Sequence, residues 1–136
     1  MPARPLSPVI GATENALRRL LIDALAGSPI GGYDEWIYLH VQGHTADPAQ
    51  LDAAVSEALG QPAEGVVSVR TALVDAGVLG ADGSPTGTGR DELHRCREMI
   101  AGITEALTAG IDPAAVQTTI DTLDTVRGRA ERLLAR

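Results

Sequence analysis

Apolar residues recur every three or four positions along most of the chain, which is the spacing typical of amphipathic helices. Glycines close several of these stretches, as Gly27 does after the first and Gly60 after the third, and Asp47 with Pro48 forms a typical helix start. The pattern predicts six helices, over residues 13–26, 33–43, 47–59, 62–76, 90–109 and 112–134.

Between the fourth and fifth predicted helices the pattern is that of a short hairpin. Val78-Leu79 leads into Gly80-Ala81-Asp82-Gly83, and Asp-Gly is a strong turn signal. The span from Gly80 to Pro85 is so short that only a minimal hairpin fits. No internal repeat, low-complexity tract or interdomain linker interrupts the chain, so its 136 residues predict one mostly α domain.

The order and spacing of these elements resemble the MarR family of bacterial transcription regulators. In that family a scaffold helix ends in Leu-Gly, as at Leu59-Gly60 here. The end of the family's recognition helix is matched by Leu73-Val-Asp-Ala-Gly77-Val-Leu79. The segment that closes its wing is matched by Pro85-Thr-Gly-Thr-Gly-Arg90, and the resemblance covers about residues 12–136.

The resemblance implies a winged helix-turn-helix with a minimal β-hairpin wing, in a single domain over residues 1–136. The winged-helix module would occupy about residues 33–90, and helices at about 12–27 and 90–136 would form a homodimer. The implied role is transcription regulation, with the recognition helix in the major groove of duplex DNA, the wing in the minor groove, and a possible small-molecule effector.

The predicted recognition helix, residues 62–76, has one apolar face and one polar face. Val66, Val69 and Leu73 define the side that we expect to be buried. Hydroxyl groups on the opposite face can hydrogen-bond to base edges, and arginines nearby can contact phosphates. The candidate DNA-binding residues are Ser68, Arg70, Thr71 and Arg90.

A homodimer is also predicted from the residues themselves. A chain this short cannot bury the apolar stripes of all its flanking helices internally, and the last helix repeats its apolar positions about every 3.5 residues, as helices that pack on one another do. The candidate interface residues are Leu17, Leu20, Leu21, Ile120, Leu123, Leu133 and Leu134.

All three aromatic residues lie in the second predicted helix, between Tyr33 and Tyr38. Tyr33, Trp36 and His40 share one face of that helix, and they are the candidate wall of a pocket for a small-molecule effector. The alternative interpretation is that Tyr33 and Trp36 are ordinary core residues, since aromatic side chains dominate most cores.

The charge distribution supports a second interpretation of the function. The chain carries a formal net charge of −7, and residues 33–90 contain eight carboxylates but only Arg70 and Arg90 as bases. The exposed face of the predicted recognition helix includes Glu64 and Asp75, which phosphates repel. The alternative function is a winged-helix protein without duplex DNA binding, acting through protein contact or small-molecule binding.

Other classes of function find little support. No nucleophile elbow, phosphate-binding loop or paired-carboxylate motif occurs, so we expect neither an enzyme nor a cofactor. We also expect no metal site, because His44 follows Gly43 and so lies beyond the predicted end of its helix, and because His94 and Cys96 point to different faces. The single cysteine and the lack of a long apolar stretch favour a cytoplasmic protein without a membrane span. Cys96 is a redox switch only if its pKa is lowered.

Overall fold

The computed structural model describes residues 3–136, which form α-helices joined by short turns. All six predicted helices are present in this part of the chain, but several boundaries differ from the prediction. α1 begins earlier, α2 includes His44, which was expected beyond its end, and α3 begins only at Leu51, after a 3-10 turn. The helices are α1 (Leu6–Leu25), α2 (Tyr33–His44), α3 (Leu51–Leu59), α4 (Ala63–Asp75), α5 (Gly87–Thr108) and α6 (Pro113–Leu134), with a 3-10 turn at Pro48–Gln50.

The predicted β-hairpin wing does not form, and the winged helix-turn-helix expected from the sequence is therefore wrong. Within residues 3–136 there is no strand, and a single isolated antiparallel bridge joins Leu79 to Pro85. The turn between them closes on itself, because the Gly80 amide donates to the Ser84 carbonyl at 2.8 Å and the Asp82 carboxylate accepts from the Ser84 amide at 3.0 Å. Too few residues remain to extend a ladder on either side.

Thr86 starts α5, so the chain after it does not continue as a strand of the hairpin. Its Oγ1 accepts a hydrogen bond from the Gly89 amide at 2.9 Å and donates to the Gly77 carbonyl at 2.6 Å. The residues after Pro85 therefore join a helix instead of pairing as a strand. A Cβ at Gly89 would lie 2.0 Å from the Val78 carbonyl oxygen, so only glycine allows this approach of α5.

The chain divides into two compact units, Met1–Ile100 and Ala101–Arg136. In the first unit α2, α3 and α4 pack on one another, and Leu25 of α1 and Cys96 of α5 join their core. The apolar positions predicted for α4 are buried, as the sequence pattern indicated. The largest fully buried side chains are Tyr38, Leu25, Ile30, Leu39, Leu73, Leu79, Val55, Val66, Val78 and Cys96.

The second unit contains the end of α5 and all of α6. Asp112 caps α6 by accepting from the Ala114 amide at 3.0 Å, and Pro113 occupies the first turn. None of residues 101–136 is buried. Among the described helices no single one is long and apolar enough to cross a membrane, and α5 and α6 reach that length and hydropathy only as a bent pair.

Candidate functional site

The outward face of α4 is the first candidate site. A tight turn at Gly60, which has a positive φ of 64°, separates α3 from α4. α4 turns its apolar face to α2 and α3, so the opposite face is left to solvent. We define the outward face of α4 as the exposed residues Glu64, Val67, Ser68, Thr71 and Asp75.

This outward face is polar and acidic. Ser68 Oγ donates to the Glu64 carbonyl at 3.0 Å, so its proton is used inside the helix and its oxygen remains free to accept. Val67 is 50% exposed, in contrast to the buried Val66 beside it. Glu64 and Asp75 add two negative charges, and the face itself contains no cationic side chain.

Arg70 lies on the flank of α4 and is directed toward α2 and α3. Its Nε donates to the Tyr38 hydroxyl at 3.1 Å, and its Nη2 forms an ion pair with the Asp52 carboxylate. The hydrogen bonds to Tyr38 and Asp52 raise the pKa of Arg70. The guanidinium that the sequence suggested for phosphate contact is therefore already paired with a carboxylate.

The other predicted DNA contacts are distributed over two helices. Ser68 and Thr71 lie together on the outward face of α4, whereas Arg90 lies at the start of α5. Arg90 is exposed, and its Nη1 donates to the Pro85 carbonyl at 2.9 Å. A carbonyl leaves the charge of Arg90 uncompensated, so this arginine keeps the electrostatic capacity to bind a phosphate.

Arg70 also lines a cleft of about 550 Å³, the second candidate site, which we call the Arg70 cleft. Gln42 Nε2 donates to the Gly83 carbonyl at 2.8 Å and so holds the 80–84 turn as one wall. The hydrogen bonds from Ser84 lower the pKa of Asp82, which keeps this carboxyl ionised. The cleft is lined by Tyr38, Gln42, Pro48, Ala49, Leu51, Asp52, Arg70, Ala81, Asp82, Gly83 and Ser84.

Sequence reasoning missed the Arg70 cleft. Tyr38 and Gln42 lie four residues apart on α2, which places them on one helical face, and this spacing was the available signal. Their partners, Arg70 for Tyr38 and Gly83 for Gln42, come from distant parts of the chain. No spacing rule connects those parts, so only the fold brings the four together.

The three residues predicted to form a pocket wall have different surroundings. Trp36 belongs to the core at 6% exposure. Tyr33 lies below the Arg18 guanidinium, whose carbon is 4.5 Å from the ring centroid, and lines a smaller cleft of about 240 Å³ between α1 and α2. His40 is exposed and its ring contacts that of His44. Their role in binding a ligand stays a prediction.

The burial of Cys96 argues against a reactive thiol. Cys96 is fully buried, and burial raises its pKa, whereas a reactive cysteine needs a lowered one. Its Sγ lies 3.7 Å from both Ser28 Oγ and Glu92 Oε1. The cluster therefore links the α1–α2 turn to α5 as a packing feature.

The predicted interface residues are exposed in the single chain, apart from Leu21, which packs partly against the core. Their exposure is 45% for Leu17, 39% for Leu20, 47% for Ile120, 39% for Leu123, 63% for Leu133 and 84% for Leu134. Such large apolar side chains are normally buried in a folded protein.

Among residues 3–136, no group of three or more His, Cys, Asp and Glu side chains has the arrangement of a metal site. Burial, His44 and Arg97 all lower the pKa of His40.

Comparisons of the chain with protein-family models, curated proteins and solved structures gave no match.

Proposed function

We propose that the chain is a homodimeric transcription regulator that binds duplex DNA through the outward face of α4. The observation that supports this function is the free outward face itself, which offers the hydroxyl groups of Ser68 and Thr71 and the methyl groups of Val67. Groups of these kinds contact base edges and thymine methyls in the major groove. The resemblance to the MarR family points to the same helix.

The surface of the single chain supports the homodimer. A folded monomer of 14.1 kDa is expected to expose about 6,700 Å², whereas this chain exposes 9270 Å². The excess of about 2,500 Å² per chain, or about 5,000 Å² for two chains, lies at the upper end of the total area that permanent homodimers bury. Exposed large aliphatic residues lie three positions apart in α1, at Leu17 and Leu20, and in α6, at Ile120 and Leu123, a spacing that dimerising helices also use.

The charges of α4 limit how strongly it binds DNA. Glu64 and Asp75 face the direction from which phosphates approach, and Arg70 is directed away from that face, toward Asp52 and Tyr38. Few phosphates are then neutralised, and since log affinity changes with log salt by about −0.9 per neutralised phosphate, a shallow slope is expected.

Fluorescence anisotropy with a random duplex at low and moderate salt tests this function. The double variant Glu64→Gln/Asp75→Asn removes two repulsive charges from each recognition helix, so it should bind the duplex more tightly than the parent. The matched control is Asp23→Asn/Glu131→Gln, which removes the same number of charges outside α4. If both double variants bind equally, or if neither chain binds any duplex, the function proposed for α4 is wrong.

A second candidate function is small-molecule binding without binding to duplex DNA. The pairing of Arg70 with Asp52 and Tyr38 favours it, because this pairing removes the only base of α4 from the DNA-facing side and directs it into the Arg70 cleft. The volume of about 550 Å³ is within the range of ligand pockets. An anisotropy experiment without duplex binding, together with a ligand that raises the melting temperature, would favour this function over the first.

A further inference from the structure

Charged side chains of both signs line the Arg70 cleft. Arg70 supplies one positive charge, and Asp52 and Asp82 supply two negative charges. A ligand that carries only a carboxylate would face a net negative site, and a ligand that carries only an amine would face the guanidinium. Charge complementarity therefore favours a molecule that carries both groups.

Donors for a carboxylate are available at the inner side of this cleft. Tyr38 lines the cleft with only 1% of its surface exposed, and its hydroxyl accepts from Arg70 Nε, a contact that does not use the hydroxyl proton. Arg70 uses Nε and Nη2 for Tyr38 and Asp52, and its Nη1 group is not needed for either contact. A guanidinium and a phenol side by side suit a carboxylate, which accepts two hydrogen bonds in one plane.

Acceptors for an ammonium group lie at the more exposed side. The Asp52 side chain is 60% exposed, so only part of it is occupied by Arg70. Asp82 uses Oδ1 for the Ser84 amide and hydroxyl, at 3.0 and 2.7 Å, and its Oδ2 makes neither of these contacts. Pro48, Ala49, Leu51 and Ala81 add apolar surface that suits an aliphatic side chain.

From this arrangement we infer that the Arg70 cleft binds a free α-amino acid with an aliphatic side chain, its carboxylate on Arg70 and Tyr38 and its ammonium on Asp52 and Asp82. This inference rests on the second candidate function and names its ligand. It needs no DNA, so binding by α4 to a duplex leaves it unaffected.

The test begins with thermal shifts of the full chain with each common amino acid at millimolar concentration, followed by calorimetry. L-leucine is the reference probe, and its two matched analogues are 4-methylpentanoate, which lacks the ammonium, and 3-methylbutylamine, which lacks the carboxylate. We expect L-leucine to bind, and each analogue to bind at least about tenfold more weakly because it leaves charged partners unpaired.

Variants assign the two ends of the ligand. Asp52→Asn should reduce the preference for L-leucine over 4-methylpentanoate, and Arg70→Lys should weaken L-leucine because it loses the planar fork but keeps the charge. Glu57→Gln, on the exposed part of α3 outside the cleft, is the control and should bind as the parent does. If Arg70→Lys does not fold, Asp52→Asn still tests whether the ligand binds in the cleft.

The outcomes separate the inference from the function on which it rests. If 4-methylpentanoate binds as tightly as L-leucine, the cleft is an anion site, so small-molecule binding stands and the amino-acid inference is overturned. If no amino acid and neither analogue binds, both are overturned. Tight binding of L-leucine that is unchanged by Asp52→Asn and by Arg70→Lys would place the ligand elsewhere and also overturn the inference.

Discussion

Apolar side chains are buried in the helices around α4 but not in α6. Leu73 of α4 and Val55 of α3 are fully buried, whereas α6 contains no buried residue although its leucines and isoleucine follow the same helical spacing. The spacing of apolar residues thus predicts that one face of a helix will be buried, but it does not show whether the same chain or a partner buries it. In the first unit the chain covers itself, and for α6 we propose a second copy.

The energetic difference between the two regions is large. Burying one large aliphatic side chain contributes about 1.5–3 kcal/mol. A helix that buries no such side chain depends on its intrinsic propensity, whereas most helical stability in proteins comes from the packing of an apolar face. α6 also contains Gly128 and several threonines, which are poor helix formers. The proposed partner would therefore supply most of the stability of α6.

The largest expected effect comes from placing charges on the apolar stripe of α6. Ile120→Glu/Leu123→Glu should weaken the dimer by more than about 1,000-fold, because two carboxylates per chain would have to be buried at the interface. The dissociation constant from sedimentation equilibrium measures this change. We also expect the melting temperature of the variant to lose its dependence on protein concentration.

The control for this variant is Thr118→Glu/Thr125→Glu, which adds the same charges on the opposite side of α6. The control should keep the dissociation constant of the parent within a fewfold range. Equal weakening in both double variants would mean that net charge, and not the apolar stripe, determines association.

In the first unit the expected effect is on folding of the single chain. Leu73→Ala should lower the free energy of unfolding by about 2–5 kcal/mol, because it leaves a cavity between α2, α3 and α4. Urea denaturation followed by circular dichroism measures this loss. Thr71→Ala, on the outward face of the same helix, should stay within about 0.5 kcal/mol of the parent. Similar losses in both variants would contradict the burial of α4 described above.

Gly89 and Gly102 lie in the same helix, α5, but in different units, so substitutions at these positions compare the two regions. Gly89→Ala should destabilise by about 1–3 kcal/mol, because the added Cβ meets the Val78 carbonyl. Gly102→Ala should stabilise by about 0.5–1 kcal/mol, because nothing lies within 4 Å of the Cβ position and alanine is the better helix former. The same urea experiment reports both changes. A loss at Gly102 would mean that a partner packs closely there.

The smallest expected effect concerns the pH dependence of the first unit. The hydrogen bonds from Arg95 and then from Ser28 lower the pKa of Glu92 from 4.5 to about 2. The stabilisation is therefore complete above pH 4.5 and is lost as the pH falls from about 4.5 to about 2. Because Arg95 is largely exposed and water screens the pair, we expect about 1 kcal/mol. Glu92→Gln should flatten this part of the profile of unfolding free energy against pH, whereas an unchanged slope would contradict the role of Glu92.

The helices could be predicted from the sequence because their signals are local. Gly60 ends α3, and Asp112 with Pro113 begins α6, as the residues indicated. The apolar face of α4 followed from the spacing of its valines and Leu73. The prediction of a hairpin was wrong because Asp-Gly identifies a turn but does not indicate whether strands flank it. Thr86 decides this by capping α5, and its contact with the Gly77 carbonyl depends on the fold.

The candidate sites were less predictable than the helices. The sequence identified the exposed face of α4, since one helical period separates it from the core. It did not indicate that Asp52 pairs with Arg70, because that ion pair joins two helices through side chains with no fixed spacing. The ion pair changes the chemistry of both candidate sites, because it directs the guanidinium of Arg70 away from the outward face of α4 and into the Arg70 cleft.

The measurement that tests the central comparison most directly is the mass of the full chain by light scattering over a range of micromolar concentrations. A second copy that covers the apolar stripes of α1 and α6 predicts a mass of twice 14.1 kDa throughout this range. A mass of 14.1 kDa, with the helical content of α6 retained in circular dichroism, would contradict the proposal, since the exposed stripe would then be stable without any partner.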